Sequence, residues 1–324
     1  MSLEQRKVFD EFYMPAAMET LAQRVELFNE ASGGAILLTT EGFTGDFFQR
    51  SFWKGISGGT RVNRYAANAE VTATDLAQEQ ENRVKIAGRV GPLRYEPSQM
   101  TWLQKPTGEA IALVSSELAN VFMGDQLNTA LAAAVGAFGK TNATKLDVSA
   151  TDTISQTAFN NTHALFGDRS MNLITTVIDG KAWHELVNQN LKGDYTPLYT
   201  YGTIRVLDIL GKRVVVTDSP ALRGGGKVNA LHLSNAGIVV SDGGDVISNI
   251  QTVNGKERIE TTLQIDYTFG LGMRGWSWNT AHKSPTDAQL ASGANWTMVA
   301  SDVKHTAGVL TVCSATPVEP PVGG

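Results

Sequence analysis

Three glycines in the C-terminal part of the chain have the spacing of a nucleotide-binding turn. Gly270–Gly275 reads GLGMRG and fits the pattern G-x-G-x-x-G. In a dinucleotide-binding fold this turn follows a strand and opens a helix, whose N-terminus holds the pyrophosphate. The next residues are WSWN, in which Trp276 and Trp278 alternate with serine at the period of a strand. We therefore expect these glycines to mark a bulge or a close backbone approach between strands.

A second glycine-containing segment is similar to the end of a phosphate-binding loop. The sequence AAVGAFGKT closes on Gly139, Lys140 and Thr141, the order that ends such a loop. The first required glycine would be residue 134, which is alanine, and the preceding residues have helical periodicity. A loop with these two differences cannot wrap its backbone amides around a phosphate. We predict instead that Gly139 ends a helix.

The histidines and serines do not form a recognisable catalytic or metal-binding motif. Histidine occurs at positions 163, 184, 232, 282 and 305. These positions do not pair at metal-ligand spacing, and His184-Glu185 lacks the second histidine of a zinc-protease motif. The nucleophile pattern G-x-S-x-G is matched once, at Gly55–Gly59, in a polar, glycine-rich stretch that does not read as the strand-to-helix turn of a hydrolase serine. We predict that the histidines are isolated, satisfied surface or interface groups.

An aspartate pair and one cysteine are the remaining candidates for chemistry. Asp242 and Asp245 flank two glycines, but the downstream glutamate of a calcium loop is missing, so a tight turn is predicted. Cys313 is the only cysteine, which excludes an intramolecular disulfide and indicates a reducing compartment. We expect it to be a small apolar filler. The sequence thus predicts no catalytic centre, no metal and no cofactor.

Composition indicates a folded protein with much of its surface in contact with other protein. The chain has 324 residues, of which 42% are hydrophobic and 18% charged. The charged fraction is below the usual value of about 25%. The formal net charge of −5 gives no reason to expect a protein that grips nucleic acid. A membrane span is not expected, because the longest apolar run, Ala130–Phe138, is much shorter than the roughly 20 residues required.

Two long segments have the apolar spacing of helices. In Pro15–Ala31 the apolar residues recur at helical intervals, and Gly33 suits the stop. Pro106–Phe138 has the stronger signal, with two apolar stripes in succession. Met123-Gly124-Asp125 lies between the stripes, so a break or kink is predicted there.

Most other signals are for strands. Thr157–Phe166 and Gly180–Leu191 are predicted as short helices, the second capped by Asp179. The predicted extended segments are 35–40, 43–53, 171–179, Thr203–Leu210, Lys212–Thr217, Val228–Leu233, Gly237–Ser241, Val246–Val253, Arg258–Phe269 and Gly270–Asn279.

Residues 56–95 form a long polar excursion. Two β-like runs, Thr60–Tyr65 and Arg83–Tyr95, flank a polar middle that has too few large apolar residues for a core of its own. An isolated strand pair is marginal in water, so we expect this segment to find its partner on another copy of the chain. The candidate assembly-interface residues are its basic side chains, Arg61, Arg64, Arg83, Lys85, Arg89 and Arg94.

From Thr200 onward the sequence resembles the major capsid proteins of tailed phages. YGTIRVLDILGKRVVVTDSPAL has two strands around a glycine turn and ends in a segment similar to the family's V-x-D-x-P loop, Val216–Pro220. TTLQIDYTFGLGMRGWSWN is similar to the closing strands of that family. SPTDAQLASGANWTMVASDVKHTAGVLTV is similar to its C-terminal end, with Leu290, Trp296 and Lys304 in the usual order.

The order of segments along nearly the whole chain resembles the Hong Kong 97-type capsid fold, which is an α+β fold. The resemblance implies an N-terminal arm, an extended β-hairpin loop, a P domain with a long spine helix, and an A domain. The corresponding ranges are 1–55 for the arm, 56–95 for the extended loop, 96–170 for the P domain, 171–256 mainly for the A domain, and 257–324 for the return to the P domain and the C-terminal tail.

The resemblance also implies a structural function without enzymatic activity. Copies would assemble into pentamers and hexamers of an icosahedral shell that encloses phage double-stranded DNA without sequence-specific contacts. The extended loop would lie over one neighbouring copy and the arm would clasp another. Assembly would occur in the host cytoplasm. The chain reaches the arm almost at once, which indicates either a separate scaffolding protein or a chain that has already been trimmed. Portal and decoration proteins would be further partners.

Two alternatives remain open from the sequence. An encapsulin-like nanocompartment shell protein shares the fold but encloses enzyme cargo. A β-rich enzyme or carbohydrate-binding module with an oligomerisation arm belongs to a different class, and the lack of convergent acidic or histidine pairs counts against it.

Overall fold

The computed structural model describes residues 3–39, 45–53, 61–67, 70, 78–95, 107–189, 197–201, 204–209, 212–255 and 257–316. The helices are α1 (Leu3–Ala31), α2 (Thr107–Gly139), α3 (Gln156–His163), α4 (Gly180–Gln189) and α5 (Asp287–Leu290). The strands are β1 (Ile36–Thr39), β2 (Phe47–Trp53), β3 (Gln78–Tyr95), β4 (Lys145–Asp147), β5 (Leu173–Ile178), β6 (Pro197–Tyr201), β7 (Ile204–Ile209), β8 (Lys212–Val216), β9 (Arg223–Gly224), β10 (Lys227–Ser234), β11 (Ile238–Val253), β12 (Glu260–Met273), β13 (Trp276–Trp278), β14 (Trp296–Met298) and β15 (Gly308–Ser314).

The first sheet is built on a long hairpin. β11 and β12 pair antiparallel along most of their length, with β1 parallel to β11 at one side. β3 pairs antiparallel with β12 at the other side, and the first half of β3 pairs with β2. β13 and β14 continue from the end of β12. β2 and β3 therefore form a ribbon that is joined to the sheet through β3.

The second sheet has the strand order β4-β15-β10-β5-β8-β7-β6, with β9 beside β10. The pairs β4–β15 and β5–β8 are parallel. The side chains of its strands alternate between two apolar clusters. One cluster is shared with α2 and the first sheet, and the other contains α3 and α4. The second sheet is therefore covered by helices on both faces.

The C-terminal part of α2 lies between the two sheets. Ala130, Ala133, Ala134, Ala137 and Phe138 are all fully buried. Small side chains allow the surrounding backbone to approach the helix closely. The closest approach is at Gly136, where an added Cβ would lie 2.1 Å from the carbonyl oxygen of Ala291.

The helix α2 is continuous through residues 123–125, so the predicted break is wrong. Met123 is 1% exposed, and the Tyr267 hydroxyl donates to Asp125 Oδ2 at 2.6 Å. The Tyr267 ring also contacts Phe122 edge to face at 4.8 Å. These contacts with β12 stabilise the helix across Gly124, because tertiary packing overrides the weak helix propensity of glycine.

Several boundaries agree with the sequence predictions and others do not. α2 ends at Gly139, and Asp179 caps α4 by accepting from the backbone N–H of Ala182 at 3.0 Å, both as predicted. α1 begins at Leu3, twelve residues before the predicted start, and continues through Pro15. Among the described residues, no helix is both long enough and apolar enough to cross a bilayer.

The two strands predicted for 237–241 and 246–253 are one strand, β11. Its pairing with β12 shifts between Asp242 and Val246, which identifies a β-bulge in place of the predicted tight turn. Gly243 packs directly on β12, where an added Cβ would lie 2.0 Å from Thr268 Oγ1. The neighbouring strand thus keeps both halves of β11 paired, and the glycines absorb the extra residues.

Gly136→Ala and Gly124→Ala form a matched pair that tests the packing of α2. Gly136→Ala should lower the free energy of unfolding by about 1–3 kcal/mol, because the new methyl group would overlap backbone. Gly124 has no neighbour within 4 Å of an added Cβ, so Gly124→Ala should raise it by about 0.5–1 kcal/mol. Urea unfolding of the unassembled protein measures both. Equal effects would contradict the close approach at Gly136.

Candidate assembly surface

The basic residues of β3 lie on the outer face of the first sheet. Val84 and Ile86 point to the core and are 0% and 5% exposed. Side chains alternate along a strand, so Arg83, Lys85 and Arg89 point to the opposite face. The structure therefore brings these three predicted interface residues together in one row.

A bulge adds Arg94 to the same face. Val90 pairs with Ile265 and Leu93 pairs with Leu263, so β3 has one residue more than β12 over this interval. The extra residue reverses the alternation, as at any one-residue shift. Gly91 lies at the bulge with a φ of +93°, where an added Cβ would be 2.6 Å from the Leu263 carbonyl oxygen.

Two of the four basic side chains in this row pair with acids of the same chain. Lys85 Nζ lies 2.5 Å from Asp245 Oδ2, and this ion pair holds the pKa of the Asp245 carboxyl below its usual value. Arg94 Nη1 lies 3.3 Å from Glu260 Oε1. Both pairs are partly exposed and stabilise the fold only slightly. Their charges are already compensated before any neighbour arrives.

Arg83 is a packing residue of the ribbon base. Its guanidinium lies 5.5 Å from the centre of the Phe48 ring on β2. Its stem lies over Gly272, where an added Cβ would be 2.4 Å from Arg83 Cγ. Burial lowers the pKa of Arg83 below its usual value. Gly272 belongs to the GLGMRG segment, and the close approach at this glycine is made by the Arg83 side chain rather than by the predicted backbone of a neighbouring strand.

The other glycines of that segment are also explained by strands. Gly270 continues β12, and Gly275, with a φ of +75°, forms the turn into β13. The strand predicted at Gly270–Asn279 is confirmed for Trp276–Trp278 only, because Gly270–Met273 belong to β12. In the other glycine segment, Lys140 follows the end of α2 and donates to the Trp296 carbonyl oxygen at 2.5 Å.

The base of the β2–β3 ribbon is held to the body by polar contacts. Glu81 is 7% exposed, and its carboxylate accepts from the backbone N–H of Gly275 at 2.6 Å. The backbone N–H of Asn82 donates to Ser277 Oγ at 3.2 Å. The ribbon therefore leaves the body from a fixed position.

The described part of the segment between β2 and β3 is fully exposed. All of 61–67 is exposed, including Arg61 and Arg64, and the Arg64 guanidinium lies 6.0 Å from the centre of the Tyr65 ring. Val62 and Tyr65 are 83% and 91% exposed. We call 61–67 the ribbon tip. The strand predicted at Thr60–Tyr65 is wrong for 61–65, because β3 pairs with β2 and β12 instead.

Several side chains of the N-terminal arm pack within the chain. Ala17 and Phe28 of α1 are buried in the core that contains α2. Arg24 donates to Asn120 Oδ1 and to Ser116 Oγ, both at 2.6 Å. The inner face of 14–31 packs on α2 of the same chain, which leaves the outer face for the predicted contact of the arm with a neighbouring copy.

Away from this surface, His163 and His232 lie together although they are 69 residues apart in sequence. His163 Nε2 is 3.0 Å from His232 Nδ1. The Thr176 hydroxyl is 2.9 Å from the same nitrogen, and His232 Nε2 is 2.8 Å from Thr311 Oγ1. The prediction of isolated histidines is wrong for this pair. Strand periodicity predicts on which face His232 lies, but not that α3 places His163 over it.

Hydrogen-bond donors and acceptors determine the protonation of both histidines. The Thr162 hydroxyl donates to the Ala158 carbonyl oxygen at 2.9 Å, so it accepts from Thr311 at 2.6 Å. Thr311 then accepts the Nε2–H of His232, whose Nδ1 accepts the Nε2–H of His163. Both rings are therefore neutral. Burial lowers the pKa of His163 to about 4 and that of His232 well below its usual value.

The remaining reactive groups are structural. Cys313 is 1% exposed in the cluster with α3 and α4, as predicted for an apolar filler, and burial raises its pKa to about 12. In the part of the chain that the structure describes, no three His, Cys, Asp or Glu side chains are arranged to hold a metal ion.

The His163 site makes a prediction for the pH dependence of stability. A folded pKa below the unfolded value means that stability is lost as the pH falls from about 6.5 towards about 4. His163→Gln removes this titration and should flatten the curve in that window. Chemical denaturation of both proteins across the window gives the comparison. An identical pH dependence in the two proteins would contradict the neutral buried pair.

Comparisons with known proteins agree with this architecture. A profile of the family described as Gp13-like, Major capsid protein 13-like, matches residues 5–310. No curated protein matches the chain. Among solved structures, the capsid asymmetric unit of cyanophage Pam1 aligns with a TM-score of 0.50 at 9% identity, covering 86% of this chain and 88% of that one.

Two further phage structures align in the same way. The capsid of Ralstonia phage GP4 has a TM-score of 0.51 at 12% identity, with 89% of each chain covered. Mycobacterium phage Adephagia has a TM-score of 0.52 at 10% identity, with 90% of this chain and 91% of that chain covered. At these identities the structures show the fold alone, which is the Hong Kong 97-type capsid fold. Because the family profile spans nearly the whole sequence, the chain belongs to the Gp13-like major capsid protein family and is a shell-forming major capsid protein.

Proposed function

We propose that copies of this chain assemble into hexamers and pentamers that tile an icosahedral shell around phage double-stranded DNA. The observation that carries this proposal is the ribbon tip. It exposes an aromatic and a β-branched side chain, Tyr65 and Val62, on a ribbon whose base is held by Glu81. Tyrosine and arginine are enriched in the centres of protein interfaces. The tip is therefore suited to burial on a neighbouring copy.

The outer face of the first sheet supplies a second contact surface. Ile247 on β11 is 68% exposed and lies opposite Asp266, which in turn lies opposite Arg89. This apolar–acidic–basic row runs across three strands. A neighbour that covers it would bury Ile247 and pair with Arg89, since Lys85 and Arg94 already have acidic partners.

The charge balance fits a container for DNA. The net charge of −5 disfavours tight binding to phosphates along the chain. A shell of chains with this net charge would enclose DNA without sequence-specific contacts to it. The role we propose is structural rather than catalytic, with assembly in the host cytoplasm and with a scaffolding protein, a portal and a decoration protein as partners.

We also propose a division of the chain into capsid domains. The arm would correspond to residues 1–55, the extended loop to 56–95, the P domain to 96–170 with α2 as its spine helix, the A domain mainly to 171–256, and the return segment to 257–324. β2, at the end of the arm range, pairs with β3 of the extended-loop range, so the two proposed segments adjoin in one ribbon. The first sheet, α2 and the return strands share one core, which supports a P domain made of distant segments.

Purified protein should form capsomers or closed shells at high concentration, either alone or with its scaffolding protein. The reason is that a weak contact repeated between many copies of the chain stabilises the assembly as a whole. Sedimentation velocity and negative-stain electron microscopy provide the measurement. A compact monomer that never assembles under either condition would contradict the proposed function.

Charge reversal at the ribbon tip should block assembly without unfolding the subunit. Arg61→Glu/Arg64→Glu places repulsive charge on a tip that makes no described contact with the body, so the melting temperature should stay unchanged. Arg61→Lys/Arg64→Lys keeps the positive charge and is the matched control, which should still assemble. Light scattering during assembly measures both variants. Normal assembly of the Glu variant would show that the tip is not an interface.

A further inference from the structure

A cavity of about 250 Å³ lies beside the buried histidine pair, between α3, the turn 164–172, β5, β8 and α4. One end is polar, with Lys212, His163 and Ser170. The walls are apolar and include Phe159, Leu186 and Val214. Two amide side chains, Gln156 and Asn160, are also part of the lining. The cavity thus has one charged end and an apolar body.

The charge at the polar end is uncompensated. Lys212 Nζ lies 3.2 Å from His163 Nδ1 and 3.2 Å from the Ser170 carbonyl oxygen. Both partners are neutral, and an ammonium group has three N–H donors. Within the described ranges no carboxylate lies within ion-pair distance of Lys212. Partial burial lowers the pKa of Lys212 below its usual value.

The neighbouring histidines cannot supply or remove charge here without breaking their hydrogen bonds. His163 Nδ1 accepts from Lys212, and its Nε2–H is committed to His232. His232 is completely buried and is held in turn by Thr311. The polar end therefore carries a single positive charge at neutral pH.

We propose that this cavity binds an organic carboxylate on a short apolar stem, with the carboxylate on Lys212 Nζ and the stem between Phe159, Leu186 and Val214. A carboxylate carries one negative charge and so matches the single ammonium. A phosphate carries more charge than the one lysine compensates. Gln156 and Asn160 also line the cavity, and an amide group is a donor that a carboxylate oxygen can accept from. Nothing in the proposed assembly role requires this site.

Butyrate is a suitable probe because it has one carboxylate and a short unbranched stem. Butyrate at constant ionic strength should raise the melting temperature of the unassembled protein, because a ligand that binds only the folded state stabilises it. Butyramide has the same shape without the charge and should have little effect. Inorganic phosphate should have no effect beyond that of chloride.

Lys212→Met keeps the stem length and removes the charge. Because a hydrogen bond to a charged group contributes about 1.5–3 kcal/mol, the affinity for butyrate should fall at least about tenfold. Lys212→Arg keeps the charge and should retain binding in part. Lys304→Met is the matched control, because Lys304 pairs with Asp168 at 2.6 Å on the surface and does not line the cavity.

Equilibrium dialysis of radiolabelled butyrate against the unaltered protein measures binding even if a Lys212 variant fails to fold. Four results would overturn the proposal: no binding, equal stabilisation by butyramide, a preference for phosphate, or undiminished binding by Lys212→Met. Binding to free subunits but not to assembled shells would identify an acidic side chain of a neighbouring chain as the occupant. Binding to both would identify a small free carboxylate.

Discussion

The last third of α2 has almost no exposed face, and both sheets are positioned by that constraint. Alanines and Gly136 let β-sheet and loop backbone approach the helix from several sides. The approach is reciprocal, because an added Cβ on Gly293 would lie 2.4 Å from the Gly136 carbonyl oxygen. Interiors are close-packed, so neither partner can move without opening a cavity or creating overlap. Asp125 and Tyr267 join the same helix to β12 by a hydrogen bond.

The position of the assembly surface follows from this packing. The inner face of the first sheet packs on α2. Because side chains alternate along β3, Arg83, Lys85 and Arg89 lie on the outer face, and the bulge at Gly91 adds Arg94 to that face. Two of these charges are paired within the chain, so the row is less basic than the sequence indicates. The exposed arginines of the ribbon tip are more available than the β3 residues for contact with a neighbouring copy. A shell made of many copies needs only weak contacts at each one.

The second sheet contains a polar layer where its neighbours are apolar. His232, Thr176 and Thr311 would each be costly to bury alone, but together with His163 they satisfy one another. The series of hydrogen bonds begins at Lys212, which can only donate, and ends at the Ala158 carbonyl oxygen. The cost of the layer is therefore concentrated at Lys212, which is the charged member of this hydrogen-bonded group and has no acidic partner among the described residues. This is why the cavity beside it is the place to look for an acidic ligand.

Local patterns in the sequence determined the helices and most strands. Gly139 as a helix stop gave the end of α2, the capping preference of aspartate gave the cap at Asp179, and alternation gave the strand at Trp276–Trp278. The order of segments indicated the capsid fold. Three features were decided by tertiary structure: the pairing of β3 with β2 and β12, the continuity of α2 through Gly124, and the meeting of His163 with His232. Each depends on contacts between residues far apart in the chain. Periodicity along one segment states which face a side chain occupies, but the register and the partner of that face are set only when the segments pack.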